Sequence, residues 1–150
     1  MKYSHEIIIN LPRQKVLDIF DNQENLAKWQ KGLVSFTNVS GEAGEVGAVS
    51  KLKYKMGKRD IEMVETIIKK DLPKEFHFKF EAKGVWNEVK NFFEENDSES
   101  TKWISDNDFR GKGMIRLMMF LMPGAFKKQS LQYMKDFKNF AEKGISVAHE

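Results

Sequence analysis

Residues 75–82 read EFHFKFEA. In an extended chain Phe76, Phe78 and Phe80 fall on one side and His77, Lys79 and Glu81 on the other, because successive side chains point to opposite faces. One dry face and one wet face define a half-buried strand of an antiparallel sheet. The same period of two runs from Leu33 to Phe109, with expected strands at 33–40, 46–56, 59–70, 75–83, 85–95 and 100–109. Between them lie SGEAGEVG, MGKR, DLPKE, KG and ENDSES, breaks that carry turn-forming residues. Breaks this short imply hairpins, since parallel neighbours need a long crossover. The densest basic run, KLKYKMGKR at 51–59, alternates its lysines with Leu52, Tyr54 and Met56. That is the pattern of a solvated strand face, not of a phosphate-binding stripe.

The flanks of this region are of a different kind. YSHEIIIN near the start is short and β-branched, a strand. Pro12 then precedes Val16, Leu17, Ile19 and Phe20, which indicates a helix of about two to three turns. NQENLAKWQ at 22–30 reads as a second short helix with Leu26 and Trp29 on one face, ended by Gly32. After RGKG the period becomes helical. Met114, Leu117, Met118, Leu121, Met122 and Phe126 recur at steps of three and four, and Tyr133, Met134, Phe137, Phe140 and Ala141 continue the stripe. Pro123 removes a backbone hydrogen bond and crowds the preceding turn, so one long kinked helix is expected. The order is strand, two short helices, six strands and a long helix, an α+β arrangement.

The chain has 150 residues, the size of one domain spanning 1–150. Hydrophobic residues make up 41% and charged residues 31%, a globular balance. Twelve phenylalanines and eight methionines make the apolar content bulky and soft, and the lack of cysteine excludes disulfide and thiolate chemistry. The net charge of +3 is spread along the chain, so no nucleic-acid partner is expected. MKYSHEIIINLPRQ does not read as a secretory signal, and the uncharged block 117–126 is shorter than the roughly 20 residues a bilayer requires. A cytoplasmic location without stable membrane insertion is the expectation. His5, His77 and His149 are scattered, and there is no HExxH, phosphate loop or nucleophile elbow, so neither a metal nor a nucleotide cofactor is expected.

Four segments in order carry a resemblance: INLPRQKVLDIFDNQENLAKW, GEVGAVSKLKY, DLPKEFHFKF and LQYMKDFKNFAEKG. Together they resemble the START/Bet v 1-like superfamily, in its SRPBCC or polyketide cyclase/dehydrase branch, over nearly the whole chain. The resemblance implies a helix-grip fold: a curved antiparallel sheet of about seven strands around a long C-terminal helix, with an apolar cavity between them. It also implies carriage of lipids, hormones or polyketides, or cyclisation and dehydration by some members. That family's enzymes share no short motif, so no catalytic residue is carried over.

The candidate site follows from these phases. Methionine suits a wall whose guest varies, being unbranched and polarizable. Met114, Met118 and Met122, with Leu117 and Leu121, are therefore expected to face Phe76, Phe78 and Phe80 across a cavity. If Val85, Val89 and Phe93 point inward, so do Asn87 and Asn91; if Trp103 and Phe109 do, so do Ser105 and Asn107. Asn87, Asn91 and Ser105 would orient the polar end of a ligand, unless a bulge shifts the register and turns them to water. Glu65 shares the phase of Ile61, Met63 and Ile67, where desolvation would raise its pKa and suit it to acid–base work; the alternative is exposure near a strand end or pairing with a lysine. His5 shares the phase of Tyr3, Ile7 and Ile9. Met119 and Phe120 lie off the helical stripe, so the segment is expected either under a neighbouring loop or exposed as a patch for a membrane or second protomer.

Three functions fit. The first is binding or transport of a small hydrophobic, lipid- or polyketide-like ligand. The second is a cofactor-free cyclase or dehydratase using Glu65 or His5, with Asn87 or Asn91 polarising a carbonyl. The third is a protein-interaction module built on the C-terminal helix. Monomer and homodimer are equally compatible with the sequence.

Overall fold

In the computed structural model, which describes residues 1–148, the chain runs through β1 (Lys2–Ile9), α1 (Arg13–Phe20), a single 3₁₀ turn at Gln23–Asn25 and α2 (Leu26–Trp29). Six strands follow: β2 (Leu33–Ser40), β3 (Val49–Met56), β4 (Arg59–Asp71), β5 (Glu75–Ala82), β6 (Val85–Asp97) and β7 (Ser100–Gly111). Two helices close the chain, α3 (Met114–Leu121) and α4 (Pro123–Lys143). His149 lies outside the described residues.

The strands form one antiparallel sheet in the order β1-β7-β6-β5-β4-β3-β2. β2 to β7 are the expected meander, each strand beside the next. β1 instead pairs with β7, from Lys2 opposite Asp108 to Ile9 opposite Thr101, so the first and last strands are neighbours. Bulges interrupt β2 and the β4–β5 pairing between Ile67 and Lys69. An extra residue bends and twists the strand that holds it, which helps the sheet curl around a helix.

Aromatic side chains fill one end of the concave face. Phe20, the last residue of α1, is the hub: its ring centroid lies 5.2 Å from Phe93, 5.5 Å from Trp103, 5.6 Å from Phe137 and 6.0 Å from Phe76. All four are edge-to-face contacts, an arrangement that the ring quadrupole favours. Ile9, Val16, Leu17 and Met134 pack into the same cluster. Each such side chain, buried, is worth about 1.5–3 kcal/mol.

α4 lies across the concave face and is fastened to β1 by polar contacts. The Tyr3 and Ser130 hydroxyls are 2.5 Å apart, His5 Nε2 is 2.9 Å from the Lys127 carbonyl, and Lys138 donates to the Ile8 carbonyl. Gly144 ends the helix in the left-handed region at φ 70°, where a side chain is disfavoured.

The C-terminal segment corrects one expectation. It is two helices, not one kinked helix: the ladder breaks at Met122 (φ −135°, ψ 56°), and Pro123 becomes the first residue of α4. Proline is well placed there, since its missing N–H is one that a first turn leaves unbonded anyway.

Candidate functional site

Between the concave face of the sheet and helices α2 and α4 lies a cavity of about 680 Å³. Its wall is divided. On β3, β4 and β5 it is mostly apolar, formed by Leu52, Ile61, Met63, Ile67, Phe76, Phe78 and Phe80. On β6 and β7 it carries Asn87, Asn91, Ser105 and Asn107 among apolar residues. α4 closes the cavity with Phe126, Gln129, Ser130, Tyr133 and Met134.

Strand register explains how the polar groups meet. Asn91 sits opposite Phe76 on one side and Ser105 on the other. Its Oδ1 accepts a 2.9 Å hydrogen bond from Trp103 Nε1, which holds that indole in place. Asn107 Nδ2 donates to Ser105 Oγ at 3.2 Å. A second row runs Ser50, Glu65, Phe80, Asn87 across β3 to β6. This row differs from the first in its unmet acceptors. Asn87 Oδ1 is buried without a hydrogen-bond partner, and Glu65 has no side-chain hydrogen bond or ion pair among the described residues. Only 8% of Glu65 is exposed. Burial pushes its carboxyl pKa up to about 7, because the charged form loses its water and gains no counter-charge. Nearby, Tyr54 donates to Gln30 Oε1 at 3.2 Å, and burial drives its phenol far above the ordinary range.

Size decides the state of the cavity. A dry void of 680 Å³ would cost on the order of 16 kcal/mol at about 24 cal/mol per Å³. That exceeds the roughly 5–15 kcal/mol that holds a typical protein folded. The space is therefore filled, by solvent or by a guest, and the polar row gives both something to bond.

Of the residues singled out in the sequence, Phe76, Phe78, Phe80, Asn87, Asn91, Trp103, Ser105 and Glu65 line the cavity. Phe93 does not: it is 1% exposed and stacks behind Trp103, with ring centroids 6.0 Å apart. His5 is also off the wall, turned to the Lys127 carbonyl. The largest correction concerns Met114, Leu117, Met118, Leu121 and Met122, none of which lines the cavity and all of which are exposed, Met114 by 70%. α3 is seated by its other face. A Cβ placed on Gly111 would lie 2.9 Å from Ile115 Cγ2 and 2.9 Å from Met119 Sδ, so the missing side chain on β7 is what lets these two residues, one helical turn apart, dock. Met119, expected off the stripe, is the buried one.

Several lining residues had not been picked out as site residues: Phe20, Tyr54, Phe126, Ser130 and Tyr133. The signal for Tyr54 was its place between the lysines of KLKYKM. On α4, the step of Phe126, Ser130, Tyr133 and Phe137 is helical, but Ser130 hides it from an apolar count.

A curved seven-stranded antiparallel sheet holding a C-terminal helix over an internal cavity defines a helix-grip protein. No family model and no curated protein matches the sequence. Solved structures do match. Ara h 8, a Bet v 1-like protein, superposes with a TM-score of 0.76 at 17% identity, covering 94% of this chain and 97% of its own. The Zhui aromatase/cyclase from Streptomyces sp. R1128 gives 0.76 at 13% identity, with 95% and 94% covered. Norcoclaurine synthase from Thalictrum flavum, in complex with dopamine and hydroxybenzaldehyde, gives 0.68 at 15% identity, with 92% and 83% covered. The fold is the Bet v 1-like helix-grip fold.

Proposed function

We propose that this protein binds a small hydrophobic molecule, lipid- or polyketide-like in its apolar part, with a hydrogen-bond-donating group at one end. The observation that carries this reading is the row containing Glu65 and Asn87: two acceptors without protein partners, flanking Phe80 on the wall of a cavity of about 680 Å³. A hydroxyl or amine on the ligand would satisfy both, while Phe76, Phe78, Ile67 and Leu52 take its carbon skeleton. Burying apolar surface contributes about 25 cal/mol per Å² before the costs of ordering.

Native mass spectrometry of freshly purified protein tests the reading. The expected spectrum shows a bound small molecule that denaturing solvent releases, and that is lost when Asn87→Trp fills the cavity in a folded variant. Protein that carries no adduct and does not bind a hydrophobic fluorophore would overturn it.

One observation favours a second reading. A buried carboxyl that titrates near neutrality can give or take a proton in the cavity, as a cyclase or dehydratase acting on a hydrophobic substrate requires. Two structural neighbours, an aromatase/cyclase and a synthase, lie in that direction. His5 takes no part in this version, since its ring is committed to α4. Conversion of a poly-β-keto thioester by the native protein and not by Glu65→Gln, with both retaining fluorophore binding, would favour the enzyme. Binding without conversion in both would favour the carrier.

A further inference from the structure

α3 is the most unusual surface of the molecule. Among the described residues, six of the twelve large apolar side chains that are exposed fall within nine residues: Met114, Leu117, Met118, Phe120, Leu121 and Met122, with Phe120 82% exposed. A contiguous apolar patch of this kind on a soluble protein marks a contact surface. We infer that α3 docks the protein onto an anionic lipid bilayer, its apolar face in the acyl–headgroup boundary and the surrounding cations on the lipid phosphates.

Charge selects this occupant. From Phe109 to Lys135 the chain contains six basic residues and no acidic one; Arg110 is paired with Asp108, which leaves Lys112 and Arg116 beside the patch and Lys127 and Lys128 just beyond it. The rest of the fold extends the same sign. Pairing of Met56 with Arg59, Ala82 with Val85 and Val85 with Gly111 puts the β3–β4, β5–β6 and β7–α3 turns at one end of the sheet. Each of these turns, 57–58, 83–84 and 112–113, is one lysine and one glycine. The opposite end is mixed and more acidic: Glu42 and Glu45 in the β2–β3 turn and Glu94, Glu95, Asp97 and Glu99 around the β6–β7 turn stand against Lys69, Lys70 and Lys74 around the β4–β5 turn, with Lys70 paired to Glu45. The apolar helix therefore sits at the more basic of the two ends. Near an anionic membrane this polarity brings α3 to the surface first. A short helix that is apolar nearly all round, with cations at its margin, settles into the interface; at eight residues it does not span.

A second copy of this chain fits less well, because a symmetric contact would set these cations against themselves. Nucleic acid is disfavoured by the apolar centre of the patch, which offers phosphates no partner.

Docking is compatible with the cavity. Met56, Ala82, Val85, Phe109 and Phe126, which line it, lie at this same end, so α3 on a membrane brings that end of the cavity to the lipid surface.

Vesicle co-sedimentation tests the inference on the intact protein. Binding is expected to mixed phosphatidylglycerol/phosphatidylcholine vesicles and not to phosphatidylcholine alone, and to weaken as salt is raised. Both Phe120→Ser/Leu121→Ser and Lys112→Glu/Arg116→Glu should lower the partition coefficient by about tenfold or more. These side chains are outside the cavity, so fluorophore binding and the melting temperature should be unchanged. Absence of binding at low salt, equal binding to neutral vesicles, or no effect of either double variant would overturn the inference. So would a concentration-dependent dimer in ultracentrifugation that Phe120→Ser/Leu121→Ser abolishes, since the patch would then belong to a second copy.

Discussion

Glu65 shows how one side chain couples pH to the stability of the whole chain. In the unfolded protein its carboxyl titrates near 4.5, and in the folded protein near 7. Between those values the folded state binds more protons than the unfolded one, so stability falls as pH rises through this window and stays low above it. Glu65→Gln keeps the shape and removes the charge. It is expected to be more stable than the native protein at pH 8, by up to about 3 kcal/mol, with the difference vanishing near pH 4. Urea denaturation at the two pH values measures this; a constant difference would contradict the assigned burial. Asn91 is the opposite case, a polar group already satisfied. Asn91→Ala leaves the buried Trp103 N–H without an acceptor and should cost about 1–3 kcal/mol in the same measurement. Alternation puts Glu65, Asn87, Asn91 and Ser105 in phase with apolar neighbours, but a bulge or a strand end could equally have turned them to water. Which of them would be satisfied could not be read at all, because that depends on neighbours from strands separated along the chain, as Asn91 depends on Trp103.

Among the elements, the strands were far more legible than the C-terminal helices. A strand has two faces, and a single residue such as Phe78 between His77 and Lys79 tells them apart. α3 has no such contrast: it is apolar nearly all round, so periodicity could not say which side would face the protein. The choice was made instead by Gly111, a residue on another element with no side chain at all. Gly111→Val would place methyl groups where Ile115 and Met119 now sit. It is expected to unseat α3 and raise amide exchange across 114–121 by about tenfold or more, with β5 and β6 unchanged. The break at Met122 matters here too, because it lets α3 and α4 take different phases, one turned outward and one lining the cavity.

For the molecule as a whole, the short turns of the meander made its sheet readable, whereas the pairing of β1 with β7 joins residues about a hundred positions apart and leaves no local trace. That closure makes the cavity a property of the entire chain. A ligand that binds only the folded form should accordingly stabilise it globally, by about 2.7 kcal/mol at a hundredfold excess over Kd, seen as a rise in melting temperature that Asn87→Trp abolishes. The three tryptophans are distributed to report on this. Trp29 and Trp103 belong to the cavity wall, with ring centroids 6.4 Å apart, whereas Trp86 lies against Arg110 and is no part of that wall. Indole emission responds to the polarity and hydration around the ring. The unlabelled protein thus carries its own optical gauge: two chromophores register whether the chamber holds water or oil, and the third supplies an internal baseline.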